Sequence, residues 1–309
     1  MTGLELSKKY FFEACKPVLE REIPEKLDRI AACLVGEGSD CFGWDDEISR
    51  DHGWGPRVCL VLTQADMEDF GDRLKEIAAL FPGRYEGYPV RLGGGLEGKR
   101  GGIYTVGEFY TMLIGLPRAP ETLGEWMSVP EVSFAAAVNG EVFRDPAGEF
   151  TAVRNALLDF YPEDARLRLL ARHAATAAQT GQYNLVRSRL RGENVAACVI
   201  KGRFAESAAA MIFLLNRRYR PFYKWAFRAL RELPLLGPQA YGLLEKMMGS
   251  DDPRHESSAA EELSALIIDE LRSQSLTGSG SDFLMDHTGE LLSRIRDSAL
   301  RTAPVSLAF

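Results

Sequence analysis

Apolar positions recur at spacings of three and four from Leu4 to about Leu19, which predicts a helix with one face laid on a sheet. Ile30 to Val35 is instead a continuous apolar run stopped by Gly36. Arg57 to Leu62 is a second such run, bounded by Pro56 and by Gln64-Ala65-Asp66. Both read as buried strands, the second leading into a helix from about Asp66 to Phe81. Extended pieces are expected at Pro89 to Leu92 and Ile103 to Phe109. The glycine-rich stretch 93–102 between them reads as a flexible hairpin or lid. Trp126 to Val138 has helical spacing, and Glu141 to Arg144 is a strand running into the turn Asp145-Pro146-Ala147-Gly148.

From about Thr151 the pattern is helical almost throughout. The apolar periodicity runs through Val153 to Phe160, Ala165 to Ala178, Ala196 to Leu215, Tyr223 to Leu233, Ala240 to Met248, Ala259 to Leu271 and Phe283 to Leu300. Turns rich in Pro or Gly separate several of these, and no internal repeat is evident. The expected fold is therefore α+β: a mixed sheet with flanking helices over residues 1–150, followed by an all-helical bundle over residues 151–309.

Composition narrows the function classes. The chain of 309 residues is 46% apolar and 26% charged, which suits a globular protein of two domains. A net charge of -7 argues against bulk nucleic acid as a partner, since phosphate contacts need clustered Lys and Arg. No segment approaches the roughly 20 apolar residues of a membrane helix, and the first residues lack a signal-peptide core, so a cytoplasmic protein with no membrane partner is expected. Five cysteines without a Cys-x-x-Cys pair fit reduced, mostly core thiols, and four scattered histidines give no reason to expect structural zinc.

Two segments carry candidate chemistry. The run before Gly36 ends in Gly36-Glu37-Gly38-Ser39, and a dozen residues later Asp51 stands before the second strand. Glycines let backbone amides approach an anion closely, so Gly38 and Ser39 are expected on phosphates, with the Ser39 hydroxyl as a further donor. Asp51, at the mouth of a strand, is the best single candidate for catalysis and for a Mg²⁺ ligand, because this ion takes one or two carboxylates plus phosphate oxygens. Between them Asp45, Asp46 and Glu47 form an acidic turn. Asp45, Asp46 or Glu47 could bend back to add a metal ligand, or could order the loop by accepting backbone amides. Asp145 is a further metal candidate, although Asp-Pro-Ala-Gly is also a good turn in its own right.

The second segment, residues 216–225, interleaves four cations with four aromatic rings around Pro221. Lys224 or an Arg such as Arg218 could meet a triphosphate and Tyr219 or Trp225 could stack on a base or acceptor; Lys201 and Arg203 are weaker candidates of the same kind. The alternative is that the rings pack in the bundle while the cations reach into water.

Together these residues resemble a known family. Gly-x-Gly-Ser, the motif from Gly43 to Pro56, the Trp126 to Pro130 segment, Val142-Phe143-x-Asp145, Tyr161-Pro162-Glu163-Asp164 and Arg218-Tyr219-x-Pro221-x-x-Lys224-Trp225 are similar to the bacterial family called domain of unknown function 4037. The resemblance implies a nucleotidyltransferase-like domain joined to a helical one. The layout of Gly38, Ser39 and Asp51 itself looks like the active-site signature of a nucleotidyltransferase, for which the expected function is to bind a nucleoside triphosphate with Mg²⁺ and transfer the nucleoside monophosphate to an unknown small-molecule or protein acceptor. The superfamily pattern matches Gly38, Ser39 and Asp51 and departs at Gly53, where a second carboxylate would stand. That departure keeps open a catalytically degenerate module that binds a ligand or regulates.

Overall fold

The computed structural model describes residues 1–50, 54–90 and 101–307. They fall into two compact units, Met1–Asp159 and Phe160–Phe309. The fold is α+β, with a mixed sheet and flanking helices in the first unit and helices throughout the second.

In the first unit, a capping box between Thr2 and Glu5 opens α1 (Gly3–Tyr10), satisfying amides that the helix leaves without partners. A π-turn, Phe11–Cys15, joins it to α2 (Lys16–Glu22), so the predicted long N-terminal helix is interrupted rather than regular. Four strands make the main sheet: β1 (Ala31–Leu34), β2 (Cys59–Leu62), β5 (Gly102–Thr105) and β6 (Glu141–Arg144). A separate short hairpin pairs β3 (Arg84–Tyr85) with β4 (Tyr88–Pro89). The order in the main sheet is β5-β2-β1-β6, with β1 antiparallel to both neighbours and β5 parallel to β2. Every residue of β1 and β2 is buried, which explains why each reads as a continuous apolar run.

Helix α3 (Gln64–Ala78) follows β2, capped by Thr63. Tyr10, Phe11, Leu19, Phe70 and Leu74 meet Leu34, Leu60 and Leu62 in the core, each large apolar side chain contributing about 1.5–3 kcal/mol of transfer free energy.

Two expectations are corrected here. Ile103 to Phe109 is not one extended piece: the chain turns helical after Thr105, where Thr105 and Glu108 form a capping box that starts α4 (Val106–Ile114). Trp126 to Val138 is two helices, α5 (Leu123–Ser128) and α6 (Glu131–Val138), because Pro130 cannot continue the first. The glycine-rich lid lies outside the described residues except for Gly101 and Gly102. Helix α7 (Glu149–Leu158) completes the unit, with Phe150 stacked on Tyr110 at 5.3 Å between ring centres.

The second unit begins with α8 (Glu163–Ala177), continues through a π-turn, Ala178–Asn184, into α9 (Leu185–Leu190), and packs both against α10 (Asn194–Leu215). Contact there is close: a Cβ on Gly181 would stand 2.3 Å from the Phe204 ring. Helices α11 (Tyr223–Arg231), α12 (Gly237–Met248) and α13 (Pro253–Ser273) follow. The expected helix from Phe283 to Leu300 is broken into a 3₁₀ turn, α14 (Thr288–Ser293) and α15 (Ser298–Thr302). Among the described residues no helix is long and apolar enough to cross a membrane.

Candidate functional site

The sheet gathers its loops at one end. Because β1 runs against both neighbours, the C-terminal end of β1 lies beside the N-terminal ends of β2 and β6, at Cys33↔Cys59 and Leu34↔Glu141. The N-terminal end of β5 joins them at Gly102↔Cys59. The Gly-x-Gly-Ser loop leaves β1 at this edge, with Gly36 at φ +148°, a conformation that L side chains rarely adopt.

Three sets of contacts hold the loop. Asn139, in the turn between α6 and β6, accepts from the Gly36 N–H at 2.9 Å and donates its amide to the Gly36 carbonyl. Its neighbour Gly140 donates to the Cys41 carbonyl at 2.9 Å, and a Cβ on Gly140 would lie 2.0 Å from the Leu34 oxygen. Arg154, reaching back from α7, donates to the carbonyls of Asn139 and Gly140. Burial lowers the pKa of its guanidinium.

The second set is an ion pair between Asp40 and Arg57, only 3% and 2% exposed. Asp40 also accepts from the Cys41 N–H, and its carboxylate fills the space beside Gly38. A Cβ there would meet Asp40 Oδ1 at 2.1 Å and Arg57 Nη2 at 3.0 Å. Gly38 is therefore required by the carboxylate packed on it as much as by any ligand. The third set ties in the start of α1: Asp45 accepts from the Gly3 N–H at 2.6 Å and the Trp54 indole at 2.8 Å, and Ser7 accepts from the Arg57 N–H.

Among the described residues, no acceptor takes the N–H of Glu37, Gly38, Ser39 or Asp40. A loop whose successive amides stay unclaimed while its outer contacts are fixed is an arrangement suited to an anion. Ser39 is half-exposed beside them and Glu37 is exposed.

The predicted carboxylates separate. Asp51 and Gly53, with His52, lie outside the described residues. Asp46 Oδ1 accepts both the N–H and the hydroxyl of Ser49 at 2.9 Å, which lowers its pKa and orders the 3₁₀ turn Ile48–Arg50. Of the two readings open for the acidic turn, Asp45 and Asp46 thus display the loop-ordering one. Glu47 is exposed and makes no side-chain hydrogen bond or ion pair among the described residues.

Asp145 is not brought to this end at all. It follows the C-terminal residue of β6, which pairs with Ala32, so it sits about 15 Å along the strand from Gly36 at ~3.3 Å per residue. There its oxygens accept from the N–H groups of Gly148 and Thr151 and open α7. The β6 carboxylate at the loop end is Glu141, engaged by Lys8. Among the described residues no three His, Cys, Asp or Glu side chains are grouped to hold a metal. Exposed carboxylates on the acidic turn do not by themselves make up a Mg²⁺ site.

Lys224, Arg218 and Tyr219 belong to the second unit. Tyr219 packs its ring against Phe160 and Tyr161 at 4.8 and 5.1 Å, Lys224 lies over the Trp225 ring, and Arg218 is exposed. Lys201 is buried and held by Glu256 at 2.8 Å, together with Arg189, which removes it from the candidate cations.

Asn139, Asp40 and Arg154 were not singled out from sequence. Asp40 follows Ser39 directly, but its partner lies 17 residues on, and Asn139 is 103 residues from Gly36. Neither separation leaves a local signal.

Fold and site together define an α+β protein with an anion-type loop at one edge of a mixed sheet, joined to a helical unit. Residues 126–226 match the model of the family described as "Domain of unknown function (DUF4037)". The matched stretch contains Asn139, Gly140 and Arg154. Comparison with curated proteins and with solved structures gave no match.

Proposed function

We propose that this protein binds a nucleoside triphosphate through its phosphates at the loop Gly36 to Asp40, and that it transfers the nucleoside monophosphate to an acceptor hydroxyl or amine. The observation that carries the reading is the run of unclaimed amides from Glu37 to Asp40, held at the sheet edge by Asn139 and by the buried Asp40–Arg57 pair. Fixed amides aimed at an anion lose little entropy on binding and stabilise charge that develops on phosphate oxygens. Ser39 supplies a hydroxyl donor, and Asp51, outside the described residues, is the carboxylate that would hold a divalent cation to neutralise the phosphates.

A second reading is favoured by a different observation. Asp45 and Asp46 are tied to protein donors and Asp145 stands at the far end of the sheet, so these three are not free to replace the carboxylate absent at Gly53. On that reading the loop binds a phosphorylated ligand and does not turn it over.

Calorimetry with the four nucleoside triphosphates, with and without Mg²⁺, separates the readings when the same samples are assayed for pyrophosphate. Transfer predicts Mg²⁺-dependent binding, weakened in Ser39→Ala and lost with pyrophosphate release in Asp51→Ala. Binding without pyrophosphate release, unchanged in Asp51→Ala, supports the second reading. If no triphosphate binds, the transfer reading is wrong.

A further inference from the structure

The helical unit holds a cavity of about 470 Å³ between α10, α11 and α12, independent of the loop just described. Its walls are Ala205, Phe227, Tyr241, Leu244 and Met248, and its one charged lining residue is Glu245. Tyr241, Leu244, Glu245 and Met248 follow one another at helical spacing of three and four, so α12 turns a single face to the space. Met248 is 43% exposed, and the cavity therefore opens to solvent. This volume lies within the range that encloses small organic ligands.

The charge at the mouth decides what kind of ligand fits. Glu245 is exposed and makes no side-chain hydrogen bond or ion pair among the described residues, although it lies on an apolar, aromatic wall. A ring presents a negative face to cations, and a carboxylate beside it adds a full charge of the same sign. The protein's own Arg231 guanidinium already lies over the Tyr241 ring, 5.1 Å from its centre. We propose that the cavity binds an organic monocation, an amine carried on an aromatic or aliphatic body. The body fills the space between Phe227, Leu244 and Met248, and the ammonium meets Glu245.

Three probes matched in size and shape test this on the full chain: 4-phenylbutylamine, 4-phenylbutanol and 4-phenylbutyrate, titrated by calorimetry at low salt. The amine is expected to bind about three- to fivefold more tightly than the alcohol, the range of a single exposed ion pair, and the carboxylate most weakly. Glu245→Gln should erase the preference for the amine while leaving the alcohol unchanged. Met248→Trp, at an exposed position, should block all three by filling the space. The proposal is overturned if no probe binds, if amine and alcohol bind equally, if the butyrate binds best because Arg231 dominates, or if the amine preference survives Glu245→Gln.

Discussion

Replacing Gly38 by Ala puts one methyl group where the Asp40 carboxylate lies. The added carbon would stand 2.1 Å from Asp40 Oδ1, a separation that real side chains do not show, so the carboxylate must leave its place against Arg57. Both residues are almost wholly buried, and separating a buried ion pair costs on the order of 3–5 kcal/mol. We take about 3 kcal/mol for Gly38→Ala, since displacement can keep part of the contact. For a unit of roughly 150 residues this corresponds to a fall in Tm of about 6–12 °C.

The reasoning makes a sharper claim in a double-mutant cycle. Gly38 does not have a positive φ, so once Asp40→Ala has removed the carboxylate, Gly38→Ala no longer has an ion pair to displace. In that background the added carbon meets only the far end of the flexible Arg57 side chain at 3.0 Å, so the substitution should cost far less, close to neutral. Urea unfolding of the four proteins, followed by circular dichroism, gives the coupling energy. A Gly38→Ala cost that is the same with and without Asp40 would refute the account of why glycine stands here.

Other outcomes follow from the same geometry. Asn139→Ala removes both side-chain hydrogen bonds to Gly36 and should cost about 1–3 kcal/mol, with triphosphate affinity, measured by calorimetry, falling as the loop loosens. In the second unit, burial opposes the charge of Glu256, but hydrogen bonds from Arg189 and Lys201 outweigh it and hold the pKa below the usual 4.5. A lowered folded-state pKa contributes stability that is present above pH 4.5 and lost as pH falls through the folded value. Glu256→Gln should therefore cost about 3–5 kcal/mol at pH 7, and urea midpoints should show the gap to the natural protein narrowing below pH 4.5.

The residues that declared themselves in sequence were those whose structure is local. Arg57 to Leu62 reads as a buried strand because both faces of β2 within it are covered, and helices in the second unit follow their own periodicity. The start of α4 was also written locally, in Thr105 and Glu108, but the β-branched run before it masked that cap. What stayed hidden depends on register. The end of the sheet at which Asp145 emerges is fixed by the pairing of Ala32 with Arg144, and nothing in either segment specifies that pairing. The same holds for the loop: its glycines were legible as a turn, whereas the side chains that hold it come from Arg57, Asn139 and Arg154, supplied by separate elements.

The placement of β6 bears on how this protein is to be handled in the laboratory. The matched stretch begins inside α5 and includes β6, yet the strand that β6 pairs with, β1, lies some ninety residues earlier. A fragment cut to the boundaries 126–226 would carry an orphaned edge strand, its N–H and C=O groups facing water or another copy of themselves. Such a fragment invites aggregation, and a negative result obtained with it would say nothing about the intact chain.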